Sequence, residues 1–175
     1  ASMLTLVTAM AVANAMHRVT GAEALIKWPN DIVIHGKKVC GILTEMSTQM
    51  DYINYIVIGI GINVQNESFP EEIGEVATSL RIESGKKQNI EAVWEEFEKY
   101  YDIYLKTEDM QGLVGEYDQK LANMNKQVRV LDPKDPYEGT ARGITPKGEL
   151  IVDTWEARKL VSSGEVSVRG LYGYV

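Results

Sequence analysis

The stretch IVIHGKKVCGILTEMSTQMDYINYIVIGIGI, residues 32–62, decides how this chain folds. Ile32–Ile34 and Val39–Glu45 are apolar runs on either side of His35-Gly36-Lys37-Lys38, where glycine marks a hairpin turn. Ser47–Asp51 reads as a second, polar turn. Tyr52–Ile60 follows, and its Ile, Val and Tyr residues suit a strand. Gly59 and Gly61 lie two apart, so both bare positions face the same side of the sheet. Glycine inside a strand weakens it and marks close approach by a ligand or another backbone.

Working outward, Ala24–Lys27 is a short strand stopped by Pro29. Before it, Met3–Met16 is apolar around its whole circumference, which predicts a buried helix ended by Gly21. The run is shorter than the ~20 residues of a membrane span, and it lacks the basic flank of a signal peptide. Beyond the hairpins, Pro70 opens a short helix. Asn89 caps a helix over Ile90–Leu105 with Ile90, Val93, Trp94, Phe97, Tyr101 and Tyr104 on one face, and a shorter helix lies near Leu113–Leu121. From Gln127 the pattern changes to short β runs: Gln127–Asp132, Tyr137–Ile144, Leu150–Trp155, Ala157–Val161 and Glu165–Val168. The expected class is therefore α+β. A mixed β-sheet with packed helices occupies residues 1–124, and a small β-barrel occupies residues 125–175.

Composition narrows the functions. The 175 residues carry a net charge of −7, and the acid is concentrated between residues 65 and 125. Without a basic stripe the chain is a poor binder of nucleic-acid backbone, and the acidic middle reads as a solvated helical face. One cysteine and two histidines exclude a structural zinc site. The single Cys40 cannot form an internal disulfide, which fits a reducing, cytoplasmic setting.

The densest chemistry is Lys27-Trp28-Pro29-Asn30-Asp31, then Lys38 and Gly41, then Gly59-Ile60-Gly61-Ile62-Asn63. Taken singly, each has a bland reading: Pro-Asn-Asp makes an ordinary turn, and Cys40 is inert core. Together they describe a flat slot with amides and an ammonium at its rim. No standard phosphate loop is present, because Val64 stands where a dinucleotide fingerprint has its third glycine, and neither Lys37 nor Lys86 precedes Ser or Thr. No arginine is expected at this wall, since Arg18 and Arg81 are the nearest in sequence.

In order and spacing, Lys27–Asp31, Lys38–Glu45 and Gly59–Val64 resemble the biotin protein ligases, and the segment from Gln127 resembles that family's SH3-like C-terminal domain. The resemblance implies a two-step reaction, in which biotin and ATP (with Mg2+) form biotinyl-5′-AMP and biotin then passes to a lysine of a biotin carboxyl carrier protein. It implies that Lys38 contacts the biotin carboxylate and then the adenylate, and that Asp31 lies beside the reacting centre. Asn30 and Asn63 would lie near the adenylate, while Gly41, Gly59 and Gly61 would line the biotin slot. No residue is assigned to a metal. The family's biotin-binding turn, its Gly-Arg-rich loop and the DNA-binding helices of some members have no match in these residues. A fragment inactive by itself is therefore expected, without a DNA-binding domain and with a homodimer left open. Two other readings remain: a lipoate-type ligase, against which the Lys-Trp-Pro-Asn-Asp block argues, and a non-catalytic biotin- or nucleotide-binding module.

Overall fold

The computed structural model describes residues 2–50, 52–106, 110–164, 167–171 and 173–175. Helix α1 (Ser2–Thr20) leads into strands β1 (Ala24–Lys27), β2 (Asp31–Ile34), β3 (Lys37–Gln49) and β4 (Tyr52–Ile62). Helices α2 (Glu71–Gly74), α3 (Leu80–Ser84), α4 (Ile90–Leu105) and α5 (Val114–Lys120) follow. Strands β5 (Gln127–Leu131), β6 (Tyr137–Ile144), β7 (Leu150–Asp153), β8 (Arg158–Val161) and β9 (Ser167–Gly170) complete the order.

The first sheet has the order β1-β2-β3-β4, with every neighbouring pair antiparallel. Parallel pairing among the described residues is confined to the isolated bridges Ile26↔Leu121 and Lys38↔Ala77. The β2–β3 turn has positive φ at both His35 (49°) and Gly36 (77°), the backbone that matches strand twist in a two-residue hairpin. Gly21 ends α1 at φ 74° and donates its N–H to the His17 carbonyl at 2.8 Å.

α1 is buried on all sides, as its apolar circumference requires. Leu6, Met10, Val12 and Met16 are among its buried side chains. The helix packs against the sheet face bearing Cys40 and Ile42, and Thr5 donates to Thr44 Oγ1 at 2.8 Å. α4 covers it from the other side with Val93, Phe97 and Tyr104. The Asn89 side chain accepts from the Glu91 N–H at the start of α4.

Three expectations change. The polar run Ser47–Asp51 does not begin a turn at Ser47: Ser47–Gln49 stay in β3, paired with Tyr55, Ile53 and Tyr52 across a bulge between Ser47 and Thr48. Strand pairing there needs only backbone groups, and water on the sheet surface tolerates polar side chains. Met50, at φ 30°, is in a turn conformation after the strand, and Asp51 lies outside the described residues. On α4, Ile90 and Trp94 are 46% and 52% exposed rather than packed, because with Val12, Ile60 and Ile62 they line an open groove of about 260 Å³ that no other described side chain fills. A helix not anticipated, α3, begins where the Ser79 hydroxyl accepts from the Ile82 N–H.

The second sheet has the order β8-β7-β6-β5-β9 and buries Val128, Val130, Ala141, Leu150, Val152 and Val168. Its last strand lies two residues beyond the expected Glu165–Val168, of which Glu165 and Val166 are outside the described residues. The two sheets are tied together at one corner. The Trp28 indole N–H donates to the Gly148 carbonyl at 3.1 Å, the Asn123 side chain accepts from the Trp28 backbone at 3.3 Å, and Asp118 accepts from the Ile144 N–H at 3.0 Å. No helix among the described residues is long and apolar enough to cross a membrane.

Trp28 is both fully buried and hydrogen-bonded, so Trp28→Phe loses packing volume and leaves the Gly148 carbonyl without its donor. Urea denaturation should show a loss of about 2–4 kcal/mol. Burial pushes the Cys40 thiol up to about 12, with the Asp31 charge adding to the rise. The thiol therefore stays protonated at pH 8, and iodoacetamide should label it in denaturant but not in the folded protein.

Candidate functional site

One face of the first sheet is packed, and the period of two leaves the other face free for chemistry. Strand register sets Lys27, Asp31, Gly41 and Gly61 in a single row across all four strands of this open face. Gly59, paired with Leu43, occupies the next position on the same face of β4. A Cβ added at Gly59 or Gly61 would meet no heavy atom nearer than 3.8 or 3.7 Å, so the glycines border open space. Exposed Leu43, Tyr55 and Val57 continue this surface as an apolar floor.

Lys38 stands at the edge of that floor. Its ammonium lies 2.6 Å from Asp31 Oδ1, with the side chain 39% exposed. Gly41 has a different task from Gly61: a Cβ there would lie 3.0 Å from Lys38 Nζ and 3.1 Å from its Cε. The missing side chain of Gly41 is therefore the space in which Lys38 folds back onto Asp31.

The two asparagines are anchored to the backbone. Asn30 Nδ2 donates to the Ile42 carbonyl at 2.9 Å, and Asn30 O accepts from the Ile42 N–H at 2.8 Å. Asn63 Nδ2 donates to the Thr78 carbonyl at 3.1 Å, and the Asn63 backbone bonds to Val39 and Leu80. Asn30 thus adjoins the Lys38–Asp31 pair along the chain, while Asn63 lies past the end of β4. Among the described residues no hydrogen bond joins either asparagine to that pair.

Two further residues approach Asp31. Lys27 Nζ lies 3.8 Å from Oδ2, and the Tyr174 hydroxyl donates to the same oxygen at 2.5 Å. Lys27 also sits over the Tyr174 ring, 4.1 Å from its centroid. A cleft of about 970 Å³ opens here, lined by Lys27, Asn30, Asp31, Pro133, Arg169 and Tyr174. The expectation of no arginine at this wall is thus corrected, because β9 delivers Arg169 from the far end of the chain. Neither Arg169 nor Tyr174 carried a local signal; only the packing of the second sheet on the first brings them in. Burial pulls the Lys27 ammonium below the usual lysine value, Asp31 opposes this, and Lys38 and Arg169 reinforce it. Burial, and then the bond to Asp31, pushes the Tyr174 phenol well above its ordinary value. A flat glycine floor with the Lys38 ammonium at its edge suits a planar ligand with an anionic end, and Lys27 and Arg169 line the cleft on the other side of Asp31.

Known proteins share the sequence and the fold that frame this site. The chain matches the family model described as Biotin/lipoate A/B protein ligase family over residues 1–63 and the Biotin protein ligase C terminal domain over residues 124–169. It is 36% identical over 171 residues to the bifunctional ligase/repressor BirA of Bacillus spizizenii, covering 94% of this chain and 52% of that protein. It is 31% identical over 157 residues to the biotin–[acetyl-CoA-carboxylase] ligase of Mycobacterium tuberculosis, covering 83% of this chain and 53% of that protein. The chain therefore spans about half the length of the curated relatives it matches. The apo biotin protein ligase of Aquifex aeolicus superposes with a TM-score of 0.87 at 31% identity, over 97% of this chain and 75% of that one. The same enzyme in complex with biotin and ATP gives a TM-score of 0.84, with 97% and 72% covered. Similarity of sequence and of fold over nearly the whole chain, at the level seen with the Aquifex enzyme, makes this chain a member of the biotin protein ligase family.

Proposed function

We propose that the protein carrying this chain joins biotin to AMP and then transfers biotin to a lysine of a biotin carboxyl carrier domain. In this reading residues 1–124 belong to the catalytic domain and residues 125–175 form its SH3-like companion, acting in the cytoplasm. The observation that carries it is the Lys38 ammonium poised beside the bare row of Gly41 and Gly61, with Asp31 as its counter-ion.

In the first step a biotin carboxylate oxygen attacks the α-phosphorus of ATP and pyrophosphate leaves with the electron pair of the broken P–O bond. Lys38 offsets the negative charge shared by carboxylate and phosphoryl oxygens, a role worth most in a site closed to water. The glycines at 59 and 61 let the ligand lie against the backbone, and Asn30 and Asn63 border the adenylate. In the second step the carrier amine attacks the acyl carbon and AMP departs. Among the described residues no group of three His, Cys, Asp or Glu side chains could hold a metal ion. Mg2+ would enter with the triphosphate and offset part of its charge.

The test is biotin-dependent pyrophosphate release from Mg-ATP, followed by labelling of a carrier domain. It should be run on the 175-residue chain and on the product of the complete open reading frame. Absence of biotin-dependent release from the complete product would sink the proposal. Lys38→Ala should slow adenylate formation about 10²–10³-fold, while Lys37→Ala, whose amine bonds the Gly74 carbonyl, should leave it near wild type. Gly61→Val places a β-branched side chain where nothing stands in its way, so the melting temperature should hold or rise. Calorimetry should nevertheless find binding of biotinyl-5′-AMP lost; a variant that still binds it would show that the ligand lies elsewhere.

A further inference from the structure

The Lys38 side chain has four rotatable bonds and a strong entropic preference for disorder. Among the described residues its ammonium has one partner, Asp31 Oδ1 at 2.6 Å, so the placement of Lys38 depends on the orientation of that carboxylate. An aspartate rotates readily about its terminal bond, which has a broad, roughly two-fold profile. What holds Asp31 therefore determines where Lys38 points.

Two groups touch the second oxygen. Lys27 Nζ at 3.8 Å is too distant for a hydrogen bond, whereas the Tyr174 hydroxyl at 2.5 Å makes one. We propose that Tyr174 is a positioning residue: by bonding Asp31 Oδ2 it fixes the rotation of the carboxylate, so that Oδ1 holds Lys38 over Gly41 at the rim of the glycine floor. This rests on the adenylation reading given above.

A phenol suits the task better than a third cation. Lys27 and Lys38 already face one carboxylate, and another positive group would compete with Lys38 for it. A neutral donor occupies one oxygen and leaves the charge for the ammonium. Burial and the bond to Asp31 keep the phenol protonated and able to donate. The ring is itself held, since Lys27 caps its face at 4.1 Å. The tail reaches β2 because it curls closely over β9: a Cβ at Gly170 would lie 2.4 Å from the Val175 carbonyl carbon, so only glycine admits the curl.

Tyr174→Phe removes the hydroxyl and keeps the ring, and it separates positioning from structure. In the active protein, kcat for biotin-dependent pyrophosphate release should fall about tenfold, with KM for Mg-ATP close to wild type. In an Asp31→Asn background the same substitution should cost nothing further, because the hydroxyl acts through that carboxylate. An unchanged kcat, or an undiminished loss in the Asp31→Asn background, would overturn the assignment. A second readout does not need the reaction. The 15N-detected order of the Lys38 ammonium should be high in the wild type and fall in Tyr174→Phe, and equal order in the two proteins would refute the positioning role. If the wild type releases no pyrophosphate, the ligase reading fails on its own, and the ammonium order still decides what Tyr174 does.

Discussion

Helix α1 has no polar face to offer to water, and hiding it organises the rest of the molecule. Each large apolar side chain left exposed would forfeit roughly 1.5–3 kcal/mol. Leu6, Met10, Val12 and Met16 therefore need cover on every side. One face of the β1–β4 sheet supplies part of it, α4 supplies part, and the turn at Gly148 in the second sheet approaches Leu6 so closely that a side chain there would collide with it. The acidity of the middle segment follows from the same arrangement. With Val93 and Phe97 committed to α1, Glu91, Glu95 and Glu98 take the solvent side of α4.

Because one face of the sheet is committed to α1, alternation along β3 and β4 leaves the chemistry to the other. Cys40 and Ile42 point into the core while Gly41 and Leu43 point out, and on β4 Gly59 and Gly61 point out with them. Asp31 enters this open face almost buried, and a buried carboxylate is costly unless it is paired and hydrogen-bonded. The surroundings satisfy it with one close ammonium, one phenol and a more distant lysine. The polar cluster is thus both a requirement of the fold and the place where an anion can be met.

Legibility in the sequence followed the range of the forces involved. Gly21 as a helix stop, Asn89 as a cap, the His35-Gly36 turn and the shared face of Gly59 and Gly61 are local effects, and all are read from neighbouring residues. The strand extension over Ser47–Gln49 was hidden because polar side chains do not reveal that a backbone ladder continues beneath them. The exposure of Ile90 and Trp94 comes from an open groove between α4, Val12 and β4, which no periodicity records. Lys38, Asp31 and Gly41 were legible as a group, but the different uses of Gly41 and Gly61 were not, since a lysine folding into the gap is a three-dimensional event. Arg169 and Tyr174 were illegible for the same reason.

The bond from Tyr174 to Asp31 spans 143 positions of chain, and the one from Trp28 to Gly148 spans 120. A ribosome adding about 5–20 residues per second needs roughly 7–30 s to pass from the first partner of the Tyr174 bond to the second. During that interval the glycine floor, Lys38 and Asp31 already exist, yet the wall formed by β9 and the tail does not. The nascent chain therefore carries an open cationic slot before it carries a closed one. Vectorial synthesis thus places completion of the cleft well after Asp31, its first wall, has been made.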